Sequence, residues 1–352
     1  MWRGGGPVYD ASMSNRLPWG ILGTGRIAEH FVQGLRRSQT AHLAAVASRT
    51  EAKARAFAGQ YGFSRAYGSY QALLDDPTVK AVYIGTPHTE HLEWILRAAQ
   101  AGKHVLCEKP LTMNAAEARR AVEACRAAGV LLMEAFMYRC QPQTDKIVKL
   151  VRAGALGQVK LVQVSFSINR PCNTAHRLWN KDLGGGAILD LGCYPVSLSR
   201  LIAGAACGQP FRDPSGVQAL SRFGTETGAD TLSVAHLEFD GCMLAQVSCG
   251  ISLWQDRAAR VYGDKAWLEV TSPFIHPFEG GKSRMTLWAD NEVAEIIELD
   301  SPPLYAAEAD AFAAAILAGA SDVPAMTTGD TLGNMMTLDR WRAAVGQRYA
   351  QD

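Results

Sequence analysis

The sequence predicts an α/β fold in two parts: a parallel sheet covered by helices over the first 136 residues, then an antiparallel or mixed sheet over the rest. Three observations carry this reading. Short strands that are apolar throughout alternate with amphipathic helices in the first part, as in a sheet buried on both faces. After about Phe136 the strand segments switch to alternating side chains. The length of 352 residues suits two domains with sizeable cores.

The elements follow in order. Trp19 to Leu22 is an apolar run that meets Gly23-Thr24-Gly25, and Arg26 to Arg37 is a helix with Ile27, Phe31, Val32 and Leu35 on one face. Leu43 to Ala47 is a second strand, followed by a helix from Glu51 to Tyr61. Ala81 to Gly85 and His104 to Cys107 are strands, each followed by a helix: His88 to Ala101, ending at Gly102, and Asn114 to Ala128, ending at Gly129. Val130 to Glu134 closes the series. In the second part Gln143 to Arg152 is helical, and alternating strands follow at Val159–Ser167, Thr231–Phe239, Cys242–Ile251, Ala266–Thr271 and Met285–Trp288. Asp240-Gly241 is expected as a two-residue hairpin turn with both residues at positive φ, and Gly263-Asp264 as another. Tyr305–Leu317 and Thr331–Val345 are late helices. The domain reading is therefore a flexible tail over 1–16, a first domain over 17–136 and a second over 137–352, with Met13 as a second candidate start.

Composition excludes several function classes. Lys+Arg (35) and Asp+Glu (34) nearly cancel, which gives no electrostatic reason to expect nucleic acid or an anionic membrane as partner. No apolar run approaches the roughly 18 residues of a membrane helix. The first residues hold Gly4-Gly5-Gly6-Pro7 rather than an apolar signal core. The eight cysteines show neither C-x-x-C pairs nor a disulfide frame, so a reducing cytoplasm is the expected compartment and no metal site is expected.

Gly23-x-Gly25-x-x-Ala28 lies between a strand and a helix. Gly23 permits the tight turn, Gly25 lets backbone approach a pyrophosphate, and Ala28 allows close helix–sheet packing. The helix start, with Thr24, Arg26 and Ile27, offers free N–H groups and a positive dipole end to phosphates. This is a dinucleotide signature. An acidic residue normally ends the second strand of an NAD site, but here the sequence reads Ser48-Arg49-Thr50. A guanidinium suits a 2′-phosphate and Ser48 adds a donor, so NADP is favoured; the alternative is that Glu51 serves NAD.

Further motifs are Thr86-Pro87-His88-x-x-His91, Glu108-Lys109-Pro110, and Leu183-Gly184-Gly185-Gly186-Ala187-Ile188-Leu189-Asp190-Leu191-Gly192-Cys193-Tyr194. Their order and spacing resemble the Gfo/Idh/MocA oxidoreductases over about residues 17 to 345. The resemblance implies a Rossmann domain plus an α/β domain with a large, mostly antiparallel open sheet, and homodimers or homotetramers assembled through that sheet. It makes Lys109 and Tyr194 the catalytic pair, with Asp190 as their partner. It places His88, His91, Thr86, Pro87 and Glu108 near the cofactor, and Arg177 and Trp179 in the cofactor or substrate pocket. Tyr138 and Arg139, just after the last strand of the first domain, are expected to face the cleft with the substrate. A tyrosine rather than a histidine at position 194 tilts the resemblance toward the aldose and dihydrodiol dehydrogenase branch.

The chemistry fits these residue types. Moving a hydride to or from a carbinol carbon requires a proton to move at its oxygen, and an ammonium beside a tyrosine would lower the phenol pKa toward a usable base. Pro195 suggests that Asp190–Cys193 forms a turn separate from a helix beginning at Tyr194 or Pro195. Polar groups at these positions suit a small polyhydroxylated substrate such as a sugar, cyclic polyol or trans-dihydrodiol. Two alternatives stand beside the dehydrogenase: a sugar–sugar oxidoreductase that never releases its NADP, and a dinucleotide-sensing regulator without catalysis.

Overall fold

The computed structural model describes residues 16–275 and 277–352; Met13 and the tail before Arg16 lie outside the described residues. The first part comprises β1 (Leu17–Leu22), α1 (Arg26–Leu35), β2 (Ala41–Ala47), α2 (Glu51–Tyr61), β3 (Arg65–Tyr67), α3 (Tyr70–Leu74), β4 (Ala81–Ile84), α4 (His88–Gln100), β5 (His104–Glu108), α5 (Ala115–Ala127) and β6 (Leu132–Ala135). The strands are all parallel in the order β3-β2-β1-β4-β5-β6. The order reverses between β1 and β4, which opens a crevice at the carboxyl ends of those strands, where doubly wound sheets take their ligands. Trp19, Ile21, Leu22, Val82, Tyr83 and Ile84 are fully buried, as strands covered on both faces require. The three-residue β3 and one-turn α3 are too short to show a period, and the sequence reading passes over them.

The second part comprises α6 (Pro142–Arg152), β7 (Val159–Ser167), a π-helical turn (Ile188–Gly192) leading into α7 (Cys193–Ala206), β8 (Gly216–Phe223), β9 (Asp230–Phe239), β10 (Met243–Gly250), β11 (Ala259–Gly263), β12 (Trp267–Val270), β13 (Gly281–Ala289), β14 (Glu292–Ser301), α8 (Leu304–Leu317) and α9 (Thr328–Ala344). The eight strands run β14-β13-β12-β11-β7-β10-β9-β8, antiparallel except for the β7–β10 pair. Burial alternates cleanly along β9, where Ala235, Leu237 and Phe239 face inward and Val234, His236 and Glu238 outward. No helix among the described residues is long and apolar enough to cross a membrane.

Two turn expectations change. The β9–β10 hairpin has a three-residue loop, Asp240 to Cys242, in which Gly241 takes positive φ (63°) and Asp240 does not. The two-residue turn with both φ positive is instead Asp290-Asn291 (51° and 62°), between β13 and β14. Gly263 ends β11, and the turn behind it is Asp264-Lys265.

The second part also returns to the first. Residues 304–317, assigned by sequence to the second domain, form α8 against the first sheet. Phe312 packs on Trp19 of β1 (centroids 5.5 Å apart) and Tyr305 on Phe31 of α1 (6.1 Å). Gly34 allows this approach, since a Cβ there would overlap Tyr305. The Asp310 carboxylate accepts from the hydroxyls of Ser38 and Thr40, which ties α8 to the start of β2.

Candidate active site

The glycine turn after β1 builds the first wall. Gly23 has φ +103°, which only glycine adopts without strain. Gly25 caps α1 with no side-chain hydrogen bond, and a Cβ there would meet open space. The first amides of α1 therefore face a cleft with no side chain serving them, the donor set an anionic pyrophosphate needs. The cleft holds about 490 Å³ and is lined by Gly23, Thr24, Gly25, Ser48, Arg49, Thr86 and Pro87, all named by the sequence reading. Lys53, Phe57, Tyr70 and Glu90 line it too. The sequence reading missed them. Lys53 had a usable signal, because it lies in the first turn of the helix that follows Arg49. Thr24 and Ser48 hydroxyls are 3.1 Å apart. Glu51, the alternative ribose acceptor, points away: its carboxylate accepts from Arg55 Nε (2.9 Å) on the exposed face of α2. The cations at the end of β2 thus fit a 2′-phosphate, and the acid that would serve a free 2′-hydroxyl is engaged elsewhere.

Pro87 leads from this cleft to His88, the first residue of α4, and His88 leads to a second cluster. Lys109, at the end of β5, donates to the Asp190 backbone carbonyl (2.8 Å) and lies 3.6 Å from Asp190 Oδ1. Arg177 donates to the same Oδ1 at 3.0 Å, and His88 Nε2 is 3.6 Å from it. Burial opposes ionisation of Asp190, but the charges of Arg177 and Lys109, with the Arg177 hydrogen bond, outweigh it and hold the carboxyl well below the usual range. Burial likewise works against the Lys109 ammonium, and Asp190, Cys193 and Glu108 together more than compensate, raising its pKa. His88 moves well below its ordinary value through burial and the Arg177 charge, and is neutral.

Tyr194 belongs to this cluster in a way the sequence reading did not anticipate. Lys109 Nζ lies over the face of its ring, 5.2 Å from the centroid, and not beside its hydroxyl. The hydroxyl contacts Met137 Sδ at 3.5 Å. The rings of Phe136, Phe166 and Phe274 surround the Tyr194 ring, with centroids 5.0–5.2 Å from its own. Burial therefore pushes the phenol well above its ordinary value, the reverse of the ammonium-lowered base expected from sequence. The separate turn expected at Asp190–Cys193 is also absent. A π-helical turn runs straight into α7, so Pro195 lies inside a continuous helix and leaves a gap in its hydrogen-bond ladder; the nearby Asp190 carbonyl accepts from Lys109 Nζ.

Other expected residues are placed differently. Tyr138 and Arg139 do not face the cleft: Tyr138 is fully buried and donates to Ser197 Oγ (2.8 Å), and Arg139 donates to Asp330 (2.6 Å). The 3₁₀ turn Met137–Cys140 directs both side chains into the interior of the second part. His91 is fully buried and touches the carbonyls of Thr86 (2.9 Å), Pro110 and Leu111 (3.1 Å each), so it clamps two loops together and does not open onto the cleft. Glu108 accepts from Tyr83 (2.6 Å) and from the Lys109 amide (3.3 Å). Arg177 is committed to Asp190, and Trp179 is buried. Arg26 and Ile27 begin α1 just beyond the cleft-lining glycines.

Comparison with known proteins agrees with this architecture. Residues 17–136 match the family model described as an oxidoreductase family with an NAD-binding Rossmann fold, and residues 144–269 match the GFO/IDH/MocA C-terminal domain. A D-xylose 1-dehydrogenase (NADP⁺) of Haloferax volcanii is 36% identical over 92% of this chain and 95% of its own. A trans-1,2-dihydrobenzene-1,2-diol dehydrogenase of Danio rerio is 33% identical over 96% of this chain and 99% of its own. Among solved structures, a 3-ketoreductase of Actinomadura kijaniata in complex with NADP and TDP-benzene superposes with a TM-score of 0.85 at 29% identity, covering 94% of this chain and 98% of that one.

Proposed function

The chain belongs to the Gfo/Idh/MocA oxidoreductases, and we propose that it is an NADP-dependent dehydrogenase or reductase acting on a secondary or hemiacetal hydroxyl of a sugar, cyclic polyol or trans-dihydrodiol. One observation carries the reading. Lys109 from the first part meets Asp190 and Tyr194 from the second beside the amide-lined crevice of a parallel sheet.

In this reading Gly23–Gly25 and the start of α1 hold the pyrophosphate, and Ser48, Arg49 and Lys53 hold the 2′-phosphate. The bound nicotinamide supplies or accepts the hydride. Asp190 keeps Lys109 charged and fixed, and the ammonium stabilises negative charge developing on the substrate oxygen. Tyr194 is neutral, and among the described residues its hydroxyl is engaged by a thioether, so it is free to turn to that oxygen and give it a proton in reduction, leaving a phenolate beside the Lys109 ammonium that takes the proton back when the step reverses. Arg177, with 40% of its side chain exposed, fixes the second Asp190 contact at the mouth.

Cytoplasmic placement and pairing through the open sheet belong to the same proposal. The outer sheet face exposes Leu220 (76%), Leu244 (56%) and Val234 (41%) around a hollow lined by Gln163, Ser165, His236 and Gln246, an apolar-and-polar surface suited to a second copy. Light scattering on Leu244→Asp tests the pairing; an unchanged mass would remove that part.

The functional test follows NADP⁺ reduction at the nicotinamide absorbance with aldoses, inositols and trans-dihydrodiols, and NADPH oxidation with keto sugars. Turnover with at least one class is expected. NADP⁺ binding without turnover on any of them would favour a sensor, and an NADP that cannot be removed without unfolding would favour the sugar–sugar oxidoreductase.

A further inference from the structure

We infer that Asp230, with Tyr349, is a positioning group that fixes the glycine turn and helix start carrying Asp190 and Tyr194; the inference rests on the active-site assignment above. Asp230 is the first residue of β9, 40 positions after Asp190, and is fully buried. One carboxylate oxygen, Oδ2, accepts the Ile188 amide at 2.7 Å, and the Ala187 amide also points to this carboxylate. These are the opening donors of the π turn that leads into α7. A helix start carries unpaired N–H groups, and the Asp230 carboxyl oxygens accept from them. No side chain of the helix or of the turn before it does so.

The glycine turn is shaped around that carboxylate. Gly184 and Gly186 adopt φ of 75° and 133°. A Cβ on Gly186 would overlap Asp230 Oδ1, and one on Gly185 would overlap the carbonyls of Arg177, Leu178 and Asn180. The amides of Gly185 and Gly186 run to the carbonyls of Asn180 and Leu178 (2.9 and 3.0 Å), while Tyr349 donates to the Gly185 carbonyl at 2.8 Å. The turn is therefore held from three sides: by the loop that bears Arg177, by the chain's C-terminal segment and by β9. Asp190 lies two residues beyond Ile188, and both of its Lys109 contacts, through O and Oδ1, depend on where that turn starts.

Asp230 touches neither Lys109 nor the crevice, so its effect is transmitted through backbone position. A misplacement of about 1 Å at the reacting groups costs on the order of a hundredfold in rate. Asp230→Ala is expected to lower kcat roughly tenfold or more, while NADP⁺ affinity, set by the first part, stays within about twofold. Asp230→Asn, which keeps an acceptor oxygen, is expected to recover part of the loss. Tyr349→Phe removes a single hydroxyl and leaves the Gly185 carbonyl without its donor, and is expected to lower kcat a few-fold with a fall of a few degrees in melting temperature.

The readout that does not depend on turnover is amide hydrogen exchange. Asp230→Ala should speed exchange across residues 184–190 and leave residues 17–30 unchanged, whether or not a substrate has been found. If exchange over 184–190 is unaltered, or if both Asp230→Ala and Tyr349→Phe keep full kcat, the positioning role is wrong. If Asp230→Ala does not fold, Tyr349→Phe decides: faster exchange at 184–190 with lower kcat supports the role, and wild-type values for both overturn it. Faster exchange together with an inactive wild type would leave the clamp standing and overturn the catalytic assignment alone.

Discussion

Arg49→Ala should convert an NADP enzyme toward indifference between the two dinucleotides, and the structure sets the size of the effect. Arg49 follows the last strand residues of β2 at the cleft, with Ser48 beside it and Lys53 one helical turn on. A hydrogen bond to a charged group contributes about 1.5–3 kcal/mol. Arg49 is exposed, so solvent screens it, and Lys53 remains after the substitution. Glu90 also lines the cleft and already offsets part of the positive potential. These three features put the loss near the lower end, about 1–2 kcal/mol, or roughly 5- to 30-fold in NADP⁺ affinity. NAD⁺ lacks the 2′-phosphate and should bind Arg49→Ala as it binds the wild type. The assay is a pair of fluorescence titrations with NADP⁺ and NAD⁺ at fixed ionic strength, repeated for Lys53→Ala and the double substitution. The two single losses should combine in the double variant, since both cations address one phosphate. An unchanged NADP⁺ to NAD⁺ ratio in Arg49→Ala would refute the argument, as would a Glu51→Gln variant that selectively lost NAD⁺.

Three further outcomes follow from the site. Lys109→Met should lower kcat by about 10²- to 10⁴-fold with little change in NADP⁺ binding, measured by steady-state kinetics and titration; retained activity would remove Lys109 from the mechanism. Tyr194→Phe deletes a hydroxyl whose one hydrogen bond among the described residues is to Met137 Sδ, so thermal stability should change by less than about 0.5 kcal/mol while kcat falls sharply. Burial pushes Glu134 up to about 8, and its Oε1 accepts the Leu111 amide at 2.9 Å. A raised carboxyl pKa means the folded state holds the proton more tightly, so this contribution is full below the unfolded value near 4.3 and is lost as pH rises through about 8. Glu134→Gln keeps the acceptor and removes the titration, so urea midpoints should show wild type losing ground to Glu134→Gln between pH 6 and pH 9; parallel curves would count against a buried neutral Glu134.

The features legible in the sequence were those carried by neighbours along the chain. A glycine at φ +103° between an apolar strand and an amphipathic helix is a local requirement, as is the residue type that ends the next strand, and Gly23, Gly25, Ser48 and Arg49 line the cleft for that reason; Thr86 and Pro87, which line it too, were placed there by the family resemblance. The same locality explains the misses. Tyr138 and Arg139 follow the last parallel strand as cleft residues do, but one 3₁₀ turn rotates them inward to Ser197 and Asp330. Positive φ at both hairpin positions was sought at Asp240-Gly241 and is found at Asp290-Asn291, because the β9–β10 loop takes a third residue.

The sequence by itself determined the two rhythms and the dinucleotide cradle, since each follows from covalent order and side-chain period, while the residues of the proton-transfer site came from the family resemblance. Tertiary structure decided what those groups do. It set Lys109 over the ring of Tyr194 and not beside its hydroxyl, sent α8 back onto the first sheet, and brought Asp230 and Tyr349 to the glycine turn. Direction of a side chain, burial and charge pairing depend on which distant segments share a volume, and in a low-dielectric interior those partners fix whether a phenol, a carboxyl or an imidazole carries its proton.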